Sequence, residues 1–580
     1  YQVELGPGGR GITELTKIEI EKLNLPGIDF IESYKRYYPN GDFASYIIGY
    51  AKENESGQIV GELGIESKYN EVLKGVDGYL KYQRDRFGYK IPDTKEERVD
   101  AEDGADIYLT IDSSIQRFVE TAVKDAANAS KPEWMIISVM DAENGDIVAN
   151  TSYPSFNPNT KNITSYENPL TSYLYEPGST MKTYTYMCAI EKGTYDGNAT
   201  YDSSGITFTD DTIHDWNGTG FGTITFDQGY VYSSNVGVSN IMQRFLTREE
   251  LRDCFNKYGF GKTTGIELPR ELEGKINFKY PIEVASASFG QGITSTVIQA
   301  LQALTIISND GKMLKPHIID KIVDPNTGKV IYQSKKEEQE RVVSTNTVNK
   351  IKDLMYQVVH GEGYATGIDY NIEGYDIIGK TGTSQYVDSS TGKYIEGSYI
   401  YSFAGMFPKD EPKYIIYAVL AKPEIGTSSA MKTAVKEIIS NIATYKGMFE
   451  EKKEDVTFHS YQLPSYQNKK VDQVVQDLNS HGIQVVTIGN GDHVTDQYPK
   501  AGNTVIYNNT VLLKTNGTEY KMPNMIGWSS KQAKTYFSMI GVPCQTTGYG
   551  YVTMQSIPEG QVINETTAVT LTLGQKFGLS

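Results

Sequence analysis

The chain has 580 residues, 39% hydrophobic and 22% charged, with a formal net charge of −17. That length is a prior for roughly four domains, and the composition excludes a disordered chain. The acidic excess argues against nucleic acid or an anionic membrane surface as the main partner.

Residues 1–130 mix short helical and polar segments. "GITELTKIEIEKLNLPG" reads as a helix stopped by Pro26-Gly27, and "LTIDSSIQRFVETAVKDAANA" as a strand end, an Asp cap and an amphipathic helix. Residues 131–446 open with "WMIISVMDAENGDIVANTSY", two apolar runs around an Asn-Gly turn, which predicts a hairpin. A long helical region follows. Strands return with "YDIIGKTGTSQYV", "GSYIYSFAGMFP" and "KYIIYAVLAKPEI", and "TSSAMKTAVKEIISNIATY" closes the region as a helix. Two strands, many helices, three strands and a last helix predict an α+β domain, an antiparallel sheet flanked by helices.

Residues 447–460 are charged and weakly apolar and read as a linker. Residues 461–517 and 518–576 repeat one pattern of Pro, helix, Gly and strands, which predicts two small α/β modules. Cys188, Cys254 and Cys544 are widely spaced with no CxxC pair, and read as buried free thiols. The six histidines lack metal-ligand spacing, so neither a metal nor another cofactor is expected. There is no apolar run of about 18 residues and no signal peptide. The opening "YQVELGPGGRGITEL", without Met, reads as a piece of a longer protein, so an anchor elsewhere in that protein is not excluded.

"EPGSTMK" places Ser179 three residues before Lys182. Ser-x-x-Lys alone is weak evidence, because Ser390/Lys393 and Ser429/Lys432 repeat it. Ser390 falls in a turn, and Ser429 opens the last helix as an ordinary cap. If Ser179 starts a helix, Lys182 shares its face one turn on, and the helix N-terminus favours negative charge there. Two further elements follow in order: Ser233-Ser234-Asn235 in helical surroundings, and Lys380-Thr381-Gly382-Thr383 on a strand. Ser-x-Asn recurs at Ser155/Asn157 and at Ser344/Asn346, whereas Lys-Thr-Gly occurs once.

This ordered set is that of penicillin-binding proteins and class A β-lactamases. The chain resembles a class B penicillin-binding protein, a monofunctional D,D-transpeptidase of the Gram-positive divisome type. "GPGGRGI", "RYYPNG", "GELGIESKYNEVLKGVDG" and "LTIDSSIQ" are similar to that family's N-terminal pedestal, and "DAENGDIVANTSYPSFNPN", "EPGST", "ASFGQGI" and "KTGTSQ" to its transpeptidase domain. The tail repeats look like two PASTA modules.

The resemblance implies Ser179 as nucleophile, Lys182 as base, Ser233 as proton relay, Asn235 as substrate and lysine anchor, and Lys380 as a field-setting cation. It implies Ser234, Thr381, Gly382 and Thr383 as substrate-binding, with the backbone N–H groups of Ser179 and Thr383 as oxyanion hole. Stem peptides ending in D-Ala-D-Ala and β-lactams are the expected ligands. A glycan polymerase and other divisome proteins are the expected partners, met through the pedestal and a membrane anchor at the outer face of the cell membrane. Arg36 and Glu62 are expected in structural ion pairs or partner contacts, and glycosyltransferase activity is not expected.

Other readings fit less well. No Gly-x-Ser-x-Gly occurs for a Ser-His-Asp hydrolase, and no Glu-x-x-x-Asn-like segment is well placed for a β-lactamase's deacylation base. A D,D-carboxypeptidase shares the motifs with water as acceptor. A dead-site, wall-binding scaffold has no need of three intact motifs. Trp528, the only tryptophan of the tail, suits a module core as well as a sugar platform.

Overall fold

Five antiparallel strands form the main sheet of a computed structural model that describes residues 3–574 except 4, 13, 32–34, 56, 209–210, 388–390, 449–460, 506–509 and 549. Strands β1 (Trp134–Asp141) and β2 (Ile147–Tyr153) make the expected hairpin, and β3 (Ile378–Val387), β4 (Tyr394–Phe407) and β5 (Tyr414–Ala421) return after the helices. The order is β3-β4-β5-β1-β2, with every pair antiparallel.

Seven helices matter here: α1 (Ser113–Ser130), α2 (Lys182–Glu191), α3 (Asn235–Arg244), α4 (Arg248–Lys257), α5 (Val297–Ser308), α6 (Thr345–His360) and α7 (Ser429–Tyr445). β1 is apolar along its length because both of its faces are covered. Met135 and Ile137 pack with Val119 of α1 and Val435 and Ile438 of α7. Ile136 and Met140 point the other way, into a cluster with Met187 of α2 and Leu301 of α5. This is the period-2 alternation of a strand between two helical layers.

The sequence places α1 in the pedestal, but its apolar stripe lies on the sheet. Asp112 caps it, accepting from Ser114 N at 2.9 Å and Ile115 N at 3.2 Å. α1 thus packs with the catalytic sheet. The pedestal's last strand, Asp106–Leu109, pairs antiparallel with Ile319–Val323 of the catalytic domain. Arg36 reaches Glu66 at 2.6 Å, and Lys52 reaches Glu62 at 3.1 Å, so Arg36 and Glu62 do sit in ion pairs.

Cys188 and Cys254 are not free thiols. They form a disulfide across 66 residues that joins α2 to α4, while Cys544 is free and half-buried. The pairing follows from helix packing, of which the sequence spacing carries no trace. Ser429 is not a cap either: Ser428 holds that place without a side-chain bond, Ser429 is the first helical residue, and Lys432 pairs with Asp369 at 2.5 Å. Ser390 and most of the proposed linker lie outside the described residues.

The tail is a separate unit holding two copies of one three-stranded sheet, each with a parallel and an antiparallel pairing about a central strand. Trp528 is half-buried and packs edge-on to Tyr536 in the second module's core. No helix among the described residues is long and apolar enough to cross a membrane.

Candidate active site

Ser179 lies in a 3-10 turn, Gly178–Met181, that runs directly into α2. The helix start read from the sequence is this 3-10 turn, ahead of the α-helix proper. The tighter coil brings residues i and i+3 into line, which is what a Ser-x-x-Lys pair requires. Lys182 Nζ lies 3.0 Å from Ser179 Oγ. Gly178 takes φ +59°, and a Cβ there would stand 2.9 Å from the Thr383 carbonyl oxygen. Glycine is thus what lets the turn lie against β3. The turn is also pinned from behind, where Gly178 N donates to Gly290 O at 3.1 Å, within the "ASFGQGI" segment.

Ser233 joins the helix Phe226–Val231 to α3 and is one of the few non-glycine residues with positive φ, +58°. That conformation is costly for an L-residue and marks a site whose surroundings enforce it. It turns both oxygens of Ser233 onto Lys182: Nζ is 2.6 Å from Ser233 O and 3.2 Å from Ser233 Oγ. Asn235 Oδ1 is 2.8 Å from the same nitrogen, and Asn235 Nδ2 donates to His214 O at 3.3 Å. From β3, Lys380 Nζ donates to Ser233 Oγ at 2.9 Å and to Thr381 O at 2.9 Å.

Both lysines are fully buried. Burial lowers the Lys182 pKa to about 7, with the Asp215 charge opposing. Burial and the neighbouring Lys182 push Lys380 well below the ordinary lysine value. A neutral amine has two N–H bonds and one lone pair. Ser233 O and Asn235 Oδ1 accept the two N–H bonds, which leaves the lone pair for a hydroxyl proton at Ser179.

The other expected residues divide. Thr381 Oγ1 donates to Thr366 Oγ1 at 2.8 Å, and Thr383 is exposed on β3, an edge strand of the sheet. Gly382 is needed for space: a Cβ there would meet Ser402 Oγ at 2.1 Å and Pro177 O at 3.1 Å. Ser234, expected at the substrate, has no exposed surface. It caps α3, accepting from Gly237 N at 2.8 Å, and donates to the Asp215 carboxylate at 2.9 Å. Its side chain is turned inward by that capping role.

Asp215 was not singled out from the sequence. It is buried, accepts from Val236 N at 3.0 Å at the start of α3, and is the charge that faces Lys182. Burial raises its pKa against those bonds. The only sequence signal was a lone Asp in "IHDWNG", 18 residues before Ser233.

The penicillin-binding protein transpeptidase domain matches residues 135–444, the penicillin-binding protein dimerisation domain residues 11–109, and the PASTA domain residues 461–517 and 520–575. The chain belongs to the class B penicillin-binding proteins. This penicillin-binding protein is 31% identical over 523 residues to the stage V sporulation protein D of Bacillus subtilis, covering 87% of this chain and 79% of that one. It is 29% identical over 413 residues to the peptidoglycan D,D-transpeptidase FtsI of Escherichia coli, covering 70% of this chain and 66% of that one. The crystal structure of penicillin-binding protein 2X from Streptococcus thermophilus superposes with a TM-score of 0.67 at 30% identity, covering 99% of this chain and 88% of that one.

Proposed function

We propose that this penicillin-binding protein is a peptidoglycan D,D-transpeptidase that works through a serine acyl-enzyme. Neutral Lys182 takes the proton as Ser179 Oγ attacks the carbonyl of the penultimate D-Ala of a stem peptide. The backbone N–H groups of Ser179 and Thr383 receive the developing oxyanion, each such donor contributing about 3 kcal/mol. The tetrahedral intermediate collapses, the peptide C–N bond breaks, and the proton passes from Lys182 through the Ser233 hydroxyl to the departing D-Ala amine. Asn235 holds Lys182 and the substrate amide, while Lys380, Thr381 and Thr383 receive the substrate carboxylate. An amine of a neighbouring strand then attacks the ester carbonyl, gives up its proton along the reverse route, and frees Ser179.

The observation that supports this reading most is the placing of buried Lys182, with its pKa near 7, within 3.0 Å of Ser179 Oγ and between two fixed acceptors. A β-lactam presents a strained amide carbonyl and a carboxylate in a similar arrangement, so it acylates Ser179 and its tethered leaving group stays in the site. The relative named a D,D-transpeptidase and the two PASTA modules support septal wall synthesis at the outer face of the membrane, alongside a glycan polymerase. The sporulation protein among the relatives supports a sporulation setting as the second reading.

Intact mass after incubation with a penicillin tests the assignment. One covalent adduct is expected, absent in Ser179→Ala and retained in Ser429→Ala. An adduct that persists in Ser179→Ala would sink it. Clearance of the adduct within seconds would identify a β-lactamase instead.

A further inference from the structure

Residues 76–102 of the pedestal form an arm that is nearly balanced in charge over its length but basic at its tip, between residues 81 and 91. Two short strands, Tyr79–Lys81 and Glu97–Val99, pair antiparallel, and bridges at Val76–Glu102 and Arg84–Lys90 extend the pairing at both ends. Every residue of both strands is exposed. At the tip, Phe87 is 70% and Tyr89 74% exposed, with Tyr82 and Ile91 beside them in the sequence also exposed.

Between residues 81 and 91 the chain carries Lys81, Arg84, Arg86 and Lys90 against one carboxylate, Asp85. That carboxylate is turned into the tip, accepting from Phe87 N at 2.8 Å and Tyr89 N at 2.9 Å. The rest of the turn also closes on itself: Asp85 N donates to Tyr89 O at 2.8 Å, Gly88 N to Asp85 O at 3.1 Å, and Ile91 N to Gln83 O at 3.0 Å. Lys90 pairs with Glu96, and Lys81 lies 4.0 Å from Glu97. Arg84 and Arg86 have no ion-pair carboxylate among the described residues, and lie instead over the rings of Tyr82 and Phe87 at 5.7 and 4.5 Å.

We propose that this tip docks on an anionic lipid bilayer, with Phe87 and Tyr89 in the interfacial layer and Arg84 and Arg86 on phosphate headgroups. Aromatic rings flanked by arginine suit the boundary of a bilayer, where each basic residue near an anionic surface contributes about 1 kcal/mol. The amides of Asp85, Phe87, Gly88, Tyr89 and Ile91 are already bonded within the tip, which lowers the cost of leaving bulk water. A protein partner adding a strand would pair along the arm's edge and leave Arg84, Arg86, Phe87 and Tyr89 at the tip without a role. A dissolved polyanion would use the arginines and leave Phe87 and Tyr89 without a role. The net charge of −17 conceals this local reversal. The proposal does not rest on the transpeptidase reading.

Flotation of the full 580-residue chain with vesicles tests it. Vesicles containing phosphatidylglycerol should carry the protein up the gradient, pure phosphatidylcholine vesicles should not, and added salt should weaken the effect. The charge reversal Arg84→Glu/Arg86→Glu should reduce binding at least about tenfold. Phe87→Ser/Tyr89→Ser should also lower it, and both variants should melt and react with penicillin as the parent does. The proposal is overturned if the parent chain floats no better with anionic than with neutral vesicles, or if either double variant binds as the parent does. Capture by polyglutamate in place of vesicles would overturn it in favour of an acidic protein partner.

Discussion

Lys182 owes its base character to its surroundings. A lysine in water is protonated near neutrality, but burial brings this one to a pKa of about 7. Only the neutral form accepts the Ser179 proton, so acylation by a penicillin should rise as pH increases through about 7 and level off above it. Asp215 opposes that shift, since its negative charge favours the protonated lysine. Asp215→Asn should therefore lower the Lys182 pKa and move the rising limb to lower pH. Stopped-flow acylation across the pH range reads this directly. A variant that is slower at every pH with an unmoved limb would show that Asp215 only braces the start of α3.

At the level of elements, the site depends on how closely β3 lies on the turn that carries Ser179. Gly178 and Gly382 make that approach possible from opposite sides. In Gly382→Ala the new methyl group would force Ser402 Oγ to turn away and press on Pro177 O at the start of the turn that carries Ser179, which must give way. A displacement of about 1 Å in such a site costs on the order of 100-fold in rate, so acylation should slow by about that factor while thermal unfolding changes little. Much of this was legible in the sequence. The hairpin, the returning strands and the three motifs are local patterns, and each lies on the kind of element expected. The exceptions are tertiary. Ser179 sits on a 3-10 turn because β3 and the Gly290 loop grip it, Cys188 meets Cys254 because α2 packs beside α4, and Asp215 matters because α3 begins above it. Ser234 faces inward because it caps α3, and a motif position does not tell which way a side chain faces.

In the whole molecule, the catalytic unit and the PASTA unit have separate apolar cores. A chain ending at residue 448 should form the penicillin adduct at the parent rate to within about a factor of two, as measured by intact mass against time. A large loss of rate would mean that the tail supports the site. The pedestal is joined differently. Its strand Asp106–Leu109 is hydrogen-bonded into a catalytic-domain sheet and leads within four residues to α1, and Ala44, Ile47 and Ile65 share the catalytic domain's own core. Tension applied to the pedestal would load that sheet in shear and pass into the apolar core that Ile378 of β3 shares. Pedestal and catalytic domain share a sheet and a core, so a pull on the base bears on the scaffold that holds the nucleophile.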